Sequence, residues 1–292
     1  MPAKGAGRTR KKRAPLNSIV MRNIEGYQMN KKSFIFLAGH HRSGTSLLHE
    51  IIREHPLISG FYNTGVPEDE GQHLQTVFEP AQTFGGPGKY IFNQNSYMNE
   101  NHDLATEQSA DAILGQWEKH YNTECSHYIE KSPPNLIRTR FFQELFPSSK
   151  FIVILRHPLA VSYATQKFSG TSIKQLIEHT IMGYEIFARD MGYLNNLYVL
   201  RYENFVANPQ SEIDKIYNFL NLQSLPINHN VKPNVNDKYF SMWEDSRKIL
   251  LNRILFSVGD DLEKRANRFG YSIYNYKELV PCSLLGAHNK KM

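Results

Sequence analysis

The stretch 34–48, FIFLAGHHRSGTSLL, constrains this chain more than any other. It opens with an unbroken apolar run, which suits a strand covered on both faces. Gly39 and Gly44 bound a short polar loop, and Thr45, Ser46, Leu47 and Leu48 open a helix. A strand, a tight loop and a helix N-terminus make a backbone cradle for an anion. The loop amides point inward and the helix dipole adds favourable potential.

The remaining strand candidates are short β-rich runs at 126–130, 151–155 and 197–201, beside the first at 33–38. Helical patterns separate them. Ala110, Ile113, Leu114, Trp117 and Tyr121 form one apolar stripe. Ile173, Ile177, Ile181, Tyr184, Phe187, Met191 and Leu194 step by three and four along a second. Leu251, Ile254, Leu255, Val258 and Leu262 form a third. Strands alternating with helices predict a doubly wound α/β sheet, whose ligands bind beyond the carboxyl ends of the strands. Residues 80–101, rich in Gly, Pro and Asn, predict a long irregular segment that shapes a binding pocket.

The formal net charge of +6 suggests nucleic acid until it is located. Lys4, Arg8, Arg10, Lys11, Lys12 and Arg13 carry it, and residues 1–13 contain no acid, so residues 14–292 are formally neutral. A disordered basic tail and lead-in is expected over 1–32, and one domain over 33–292. A nuclear address, an anionic-surface arm and a solubilising tail all fit such a tail. No hydrophobic anchor adjoins it, which favours the last. A neutral body without an aromatic–basic motif argues against nucleic acid as partner. Cys125 and Cys282 form no metal spacing and no disulfide framework. No run approaches the ~18–20 apolar residues of a membrane span. The expectation is a soluble, cytoplasmic protein.

The glycine spacing of the loop fits G-x-x-x-x-G-K-[ST], which binds nucleoside triphosphates. The fit fails at Thr45, where the lysine that reaches the β- and γ-phosphates belongs. A cation stands instead at Arg42, within the loop. No apolar run ends in the aspartate that holds Mg²⁺, because FIVIL ends in Arg156. The loop meets its ligand's charge with arginine and amides rather than with lysine and metal.

HRSGTSLL resembles the 5′-phosphosulfate loop of sulfotransferases, K/R-[ST]-G-[ST]-[ST]. EKSPPNLIRTRFFQELFPSSKFIVILRHPLAVSYAT resembles the family's K-[ST]-P segment and the R-[DHN]-P strand–helix that follows it. YVLRYENFVANPQSEIDKIYNFL resembles its R-Y-E-[DN]-L strand–helix, and DLEKRANRFGYS its C-terminal helix. The matches run in the family's order from about residue 33 to 273. The resemblance implies a P-loop-like three-layer α/β fold with a central, mostly parallel sheet flanked by helices. It also implies 3′-phosphoadenosine-5′-phosphosulfate (PAPS) as sulfuryl donor, its bisphosphate (PAP) as product, and no required metal.

By the same resemblance, Arg42 meets the bridging and sulfuryl oxygens, while Ser43, Gly44, Thr45 and Ser46 serve the 5′-phosphate. Lys131 helps neutralise the transferring group, and Arg156 binds the 3′-phosphate. The family's serine eight positions after that arginine is Ala164 here, so Ser162 or Thr165 is the candidate partner. Tyr202 lies near the adenine, and Arg265 and Arg268 are further candidates. A charged helix face explains those two arginines equally well. An acceptor hydroxyl must lose a proton during transfer, and a carboxylate or histidine can take it. Glu68 and Glu70 are the candidate bases, with His73 as alternative. The bland reading of Glu68-Asp69-Glu70 is first-turn acids of a helix begun by Pro67. His40 and His41 are read as shaping the loop. The expected acceptor is the hydroxyl or amine of a small molecule or natural product, with a carbohydrate as runner-up. The competing classes are an ATP-dependent small-molecule kinase and a nucleotide-binding module.

Overall fold

Strand β1 (Ser33–Gly39) lies inside a six-stranded sheet of order β2-β3-β1-β4-β5-β6. The structure is a computed structural model that describes residues 32–248 and 259–289. The basic arm of residues 1–13, its lead-in through 31, and Leu251, Ile254, Leu255 and Val258 of the third stripe lie outside the described residues. The other strands are β2 (Ile58–Gly60), β3 (His127–Lys131), β4 (Lys150–Leu155), β5 (Asn196–Arg201) and β6 (Gly286–Asn289). Neighbouring strands from β2 to β5 pair in parallel, and β6 runs antiparallel to β5. β1, β3, β4 and β5 are the strands expected from sequence, each within one residue at either end. β2 and β6 were not anticipated.

The parallel pairing follows from where the apolar residues go. Along β1, Phe34, Phe36 and Ala38 enter one hydrophobic cluster, and Ile35 and Leu37 enter another. Along β4, Phe151, Val153 and Leu155 join the first cluster, Ile152 and Ile154 the second. A strand apolar on both faces must be covered on both. Helices α1 (Thr45–Arg53) and α7 (Pro209–Leu220) contribute Leu48, Ile51, Ile52, Ile213 and Ile216 to the second cluster. Helices α2 (Glu107–Trp117), α3 (Thr139–Leu145) and α5 (Ile173–Asp190) contribute Trp117, Phe142 and Ile177 to the first. The layered α/β arrangement expected from sequence is borne out.

The first cluster is aromatic at its centre. Phe36 and Phe142 stack with ring centroids 4.5 Å apart, and Phe34 meets Phe146 at the same distance. Each such buried ring contributes ~1.5–3 kcal/mol. The stripe from Ala110 to Tyr121 runs past the end of α2 through a 3₁₀ turn at Glu118–His120. The longer stripe continues past α5 through Met191–Tyr193.

The remaining helices are α4 (Pro158–Ser169), α6 (Tyr202–Ala207), α8 (Asp237–Lys248) and α9 (Asp260–Asn267). Among the described residues, no helix is long and apolar enough to cross a membrane. The irregular segment 80–101 carries three short 3₁₀ turns. Its Ala81, Tyr90 and Ile91 pack with Ile137 in a small core of their own. Buried Arg138 fastens it, donating to the carbonyls of Ser96 and Glu79 at 3.1 Å each.

Because β1 to β5 are parallel, their carboxyl ends share one edge of the sheet. Gly39, Lys131, Arg156 and Tyr202 all stand at that edge, at or just after the ends of β1, β3, β4 and β5. β2 and β3 lie on one side of β1, β4 and β5 on the other, and ligands bind at such a reversal.

Candidate active site

The loop between β1 and α1 is built on two left-handed residues. Arg42 has φ 67° and Gly44 has φ 100°. Gly44 suits this conformation, and a Cβ there would also lie 2.7 Å from the Tyr202 ring. For Arg42 such a backbone costs ~1–3 kcal/mol, a cost typical of functional sites. The buried Ser43 ties the turn from inside: its amide (3.0 Å) and hydroxyl (2.7 Å) both donate to the His40 carbonyl. Buried Thr45 opens α1. Gly44 offers that helix no side-chain cap and its own first turn holds no acid, which leaves its first backbone amides for an anion. Arg42 itself is exposed, its guanidinium 4.3 Å from the Phe168 ring centroid.

Arg156, 5% exposed, reaches back to this loop. Its Nη1 donates to the Arg42 carbonyl at 2.5 Å, holding the strained residue in place. Its Nε and Nη2 both donate to Asn236 Oδ1, at 2.9 and 2.8 Å. Asn236 in turn donates to Glu203 Oε1 at 2.7 Å. The guanidinium lies 4.1 Å from the ring centroid of Tyr202, which is also buried. Arg42, Ser43, Gly44, Arg156 and Tyr202 therefore form one continuous group. Ser162 is fully buried on α4 and lines a cavity with His40 and His41 of the same loop and with Thr165.

Lys131 ends β3 and is only 2% exposed. Its Nζ donates to the Glu68 carbonyl at 2.7 Å and pairs with Glu70 Oε1 at 3.5 Å. Burial pushes the Glu70 carboxyl above its ordinary range, against the opposing pull of Lys131. Gln72 Nε2 donates to the other Glu70 oxygen at 2.5 Å, and His73 Nε2 stands 4.0 Å from it. Glu68 is exposed and accepts from the Ser46 hydroxyl at 3.3 Å.

The acidic triplet does not open an α-helix, which corrects the bland reading. Pro67–Asp69 is one 3₁₀ turn, with φ 54° at Glu68 and φ 50° at Asp69. The cause is local. Asp69 accepts from the amides of Asn63 (3.1 Å) and Thr64 (2.7 Å) and from the Thr64 hydroxyl (2.6 Å), which closes the turn on itself. Arg265 is also settled: it pairs with Glu185 and Glu178 at 2.8 Å each and with Asp261 at 3.4 Å, a structural ion-pair network.

Residues 34–226 match the family described as "Sulfotransferase family", more than half of the chain. The chain belongs to the sulfotransferase family. Comparison with curated proteins finds no match. Among solved structures, the sulfotransferase from Alicyclobacillus acidocaldarius is 13% identical over 73% of this chain and 92% of that one, with a TM-score of 0.44. The sulfotransferase domain of the Synechococcus PCC 7002 olefin synthase is 17% identical over 83% and 95%, with a TM-score of 0.45. Retinol dehydratase, solved with retinol and PAP, is 14% identical over 75% and 81%, with a TM-score of 0.36.

Three residues of this candidate site escaped the sequence reading. Glu130 is fully buried beside Lys131 and accepts from the Gly71 amide (3.0 Å), the Ser132 hydroxyl (2.5 Å) and the Asn135 side chain. Burial pushes its carboxyl up to about 7, chiefly against the bonds from Ser132 and Asn135. Position 71 must be glycine, because a Cβ would lie 2.6 Å from Glu130 Oε1. A charged pair inside an apolar strand, Glu130-Lys131, was the available signal. His157 caps α4, its Nδ1 accepting from Leu159 N at 3.2 Å, while its Nε2–H donates to the Ser272 carbonyl at 3.1 Å. The His before Pro158 signalled that cap. Asn236, the partner of Arg156, had no signal: it is remote in sequence and sits in no motif.

Proposed function

We propose that this sulfotransferase moves a sulfuryl group from PAPS to a hydroxyl or amine of a small-molecule acceptor by direct in-line transfer, within one domain over 33–292. The observation that carries the reading is the convergence of Arg42, Lys131 and Arg156 on one sheet edge around an uncapped helix start. The residues present fit such a donor. The start of α1 and the hydroxyls of Thr45 and Ser46 suit a 5′-phosphate. The buried Arg156 suits a 3′-phosphate. Tyr202, stacked under Arg156, suits the nucleoside end. When bound, PAPS supplies an electrophilic sulfuryl group attached to a good leaving phosphate.

The chain's own residues then have distinct tasks. Arg42 and Lys131 are preorganised cations that stabilise charge spreading over the transferring and leaving oxygens. Positioning and electrostatics do the work, as in phosphoryl transfer. A carboxylate of the 68–70 segment takes the acceptor proton. The surroundings favour Glu70, which is buried, oriented by Gln72 and shifted by burial above the ordinary carboxyl range, the direction that suits a general base. Glu130 fixes the Gly71 amide and thereby the backbone that carries Glu70.

The kinase reading is disfavoured by the same edge. β3 ends in Lys131 and β4 leads into Arg156, and Thr45 stands where a triphosphate loop has lysine. The test is PAP release from PAPS in the presence of an acceptor panel. Acceptor-dependent PAP release that disappears in Lys131→Ala is expected. Acceptor-dependent ADP release from Mg-ATP would refute the reading.

A further inference from the structure

A second set of buried polar atoms lies beside the loop, and the donor site makes no use of it. A partly open space of about 10 Å³, room for about one water molecule, lies between the loop, α4, α5 and the irregular segment. His40, His41, Gly88, Ser162, Thr165 and His179 are among its lining residues. Three polar atoms of this lining are buried without a partner: His41 Nδ1, Ser162 Oγ and Thr165 Oγ1. Ser162 and Thr165 are 0% and 4% exposed and lie three apart on α4, hence on one face. Each unsatisfied buried group is costly, and three around one cavity mark a place built for a hydrogen-bonding occupant.

The lining selects the charge of that occupant. It contains no lysine, arginine, aspartate or glutamate. Burial holds His40 at about 4 and His41 at about 3, and holds His179 well below its ordinary value, so all three are neutral near pH 7. His40 is further fixed, its Nε2–H donating to the Thr180 carbonyl at 2.9 Å. A phosphate would find no cation here, and an ammonium no carboxylate. The space admits one hydroxyl-sized group, so it takes only that much of a molecule. Two exposed rings flank it: Phe92, 5.4 Å from the His179 ring, and Phe168, one turn beyond Thr165 on α4. They offer apolar surface to the rest of that molecule. His41 directly precedes Arg42, so the occupant lies beside the transferring group.

We propose that this cavity anchors the acceptor by one hydroxyl, and that the acceptor is a neutral compound with at least two hydroxyls. The second hydroxyl faces Arg42 and the carboxylate of the 68–70 segment and is the one sulfated. Its proton passes to that carboxylate as the new oxygen–sulfur bond forms and the donor's phosphate–sulfate bond breaks. This inference rests on the sulfuryl-transfer reading. It assigns Ser162 and Thr165 to the acceptor and leaves the 3′-phosphate to Arg156.

The test uses the full chain and three probes of similar size: phenyl glucoside (neutral), tyramine (cationic) and 4-hydroxyphenylacetate (anionic). Sulfation of the neutral probe in preference to the charged ones is expected. Ser162→Ala with Thr165→Val should raise its KM ~10-fold or more at nearly unchanged kcat. The thermal shift produced by PAP should stay at the wild-type size. Thr165→Ser, which keeps the hydroxyl, should hold KM near wild type even if the double variant folds poorly. An unchanged KM in the double variant would mean that the cavity holds water only and would overturn the proposal. Preference for a charged probe would overturn it, as would no sulfation of the neutral one by protein that binds PAP. Loss of the PAP shift in a folded double variant would return Ser162 to the nucleotide. Absence of that shift in the wild type would instead defeat the donor reading itself.

Discussion

Arg156 Nη1 donates to the carbonyl oxygen of Arg42 at 2.5 Å, so the cation assigned to the 3′-phosphate also holds the loop assigned to the sulfuryl group. The guanidinium serves three acceptor contacts at once, the other two on Asn236. A lysine ammonium has no planar fork to reproduce that arrangement. Arg156→Lys should therefore weaken PAP binding ~10²-fold, the worth of one or two charge-assisted bonds, and should lower kcat as well. Titration calorimetry with PAP checks this. Affinity within threefold of wild type would show that Arg156 is only a structural tie.

Arg42 presents stability and activity in opposition. Its left-handed backbone is strained and its side chain is exposed. Arg42→Gly should raise stability by about 1 kcal/mol, because glycine adopts that backbone freely. The same change should lower kcat by ~10²–10³, as for loss of an oxyanion-stabilising donor. Denaturant unfolding and steady-state rates measure the two sides separately.

The two carboxylates of the acidic triplet should separate on substitution. Glu70→Gln removes a raised, oriented carboxyl that pairs with Lys131, and kcat should fall ~10²–10⁴. Glu68→Gln removes an exposed group bonded to Ser46 and should cost less than tenfold. The reverse order would move the base to Glu68.

Buried histidines make the fold acid-sensitive. His40 is held at about 4, and His41, His49 and His157 at about 3, all chiefly by burial. In the unfolded chain they take up protons near 6.5. Their contribution to stability is thus complete above pH 6.5 and is lost as pH falls toward 3. Glu130 acts at the other end. Raised to about 7, it contributes most below its ordinary 4.5, and that contribution is lost as pH rises through 7. Tm should fall steadily below pH 6.5, and Glu130→Gln, which removes the opposing contribution of Glu130, should steepen that fall between pH 6.5 and 4.5. A Tm flat from pH 6.5 to 4 would contradict the neutral histidines.

The fold was legible where the chain carries long-range information locally. Phe34–Ala38 and Phe151–Leu155 are apolar without interruption because both faces of the sheet are covered. β2 is three residues long, and β6, GAHN, forms by antiparallel pairing on β5 with no apolar run of its own. Neither leaves a periodic trace. The Glu68–Glu70 turn was misread because Pro67 and acids suit a helix start, while the competing bonds from Asn63 and Thr64 to Asp69 lie upstream. Asn236 was invisible because its pairing with Arg156 is purely tertiary. The hydroxyls of Ser162 and Thr165 could be named from sequence, but only α4 packing shows that they face His40 and His41.

The central claim is that this edge of the sheet binds an adenosine 3′,5′-bisphosphate group. It is tested most directly by thermal unfolding of the full chain with PAP, beside the same chain with Mg-ATP. At ~100 times Kd, a ligand adds about 2.7 kcal/mol to stability. The account predicts a clear rise in Tm with PAP, lost in Arg156→Lys, and no rise with Mg-ATP. A rise with Mg-ATP alone would contradict it.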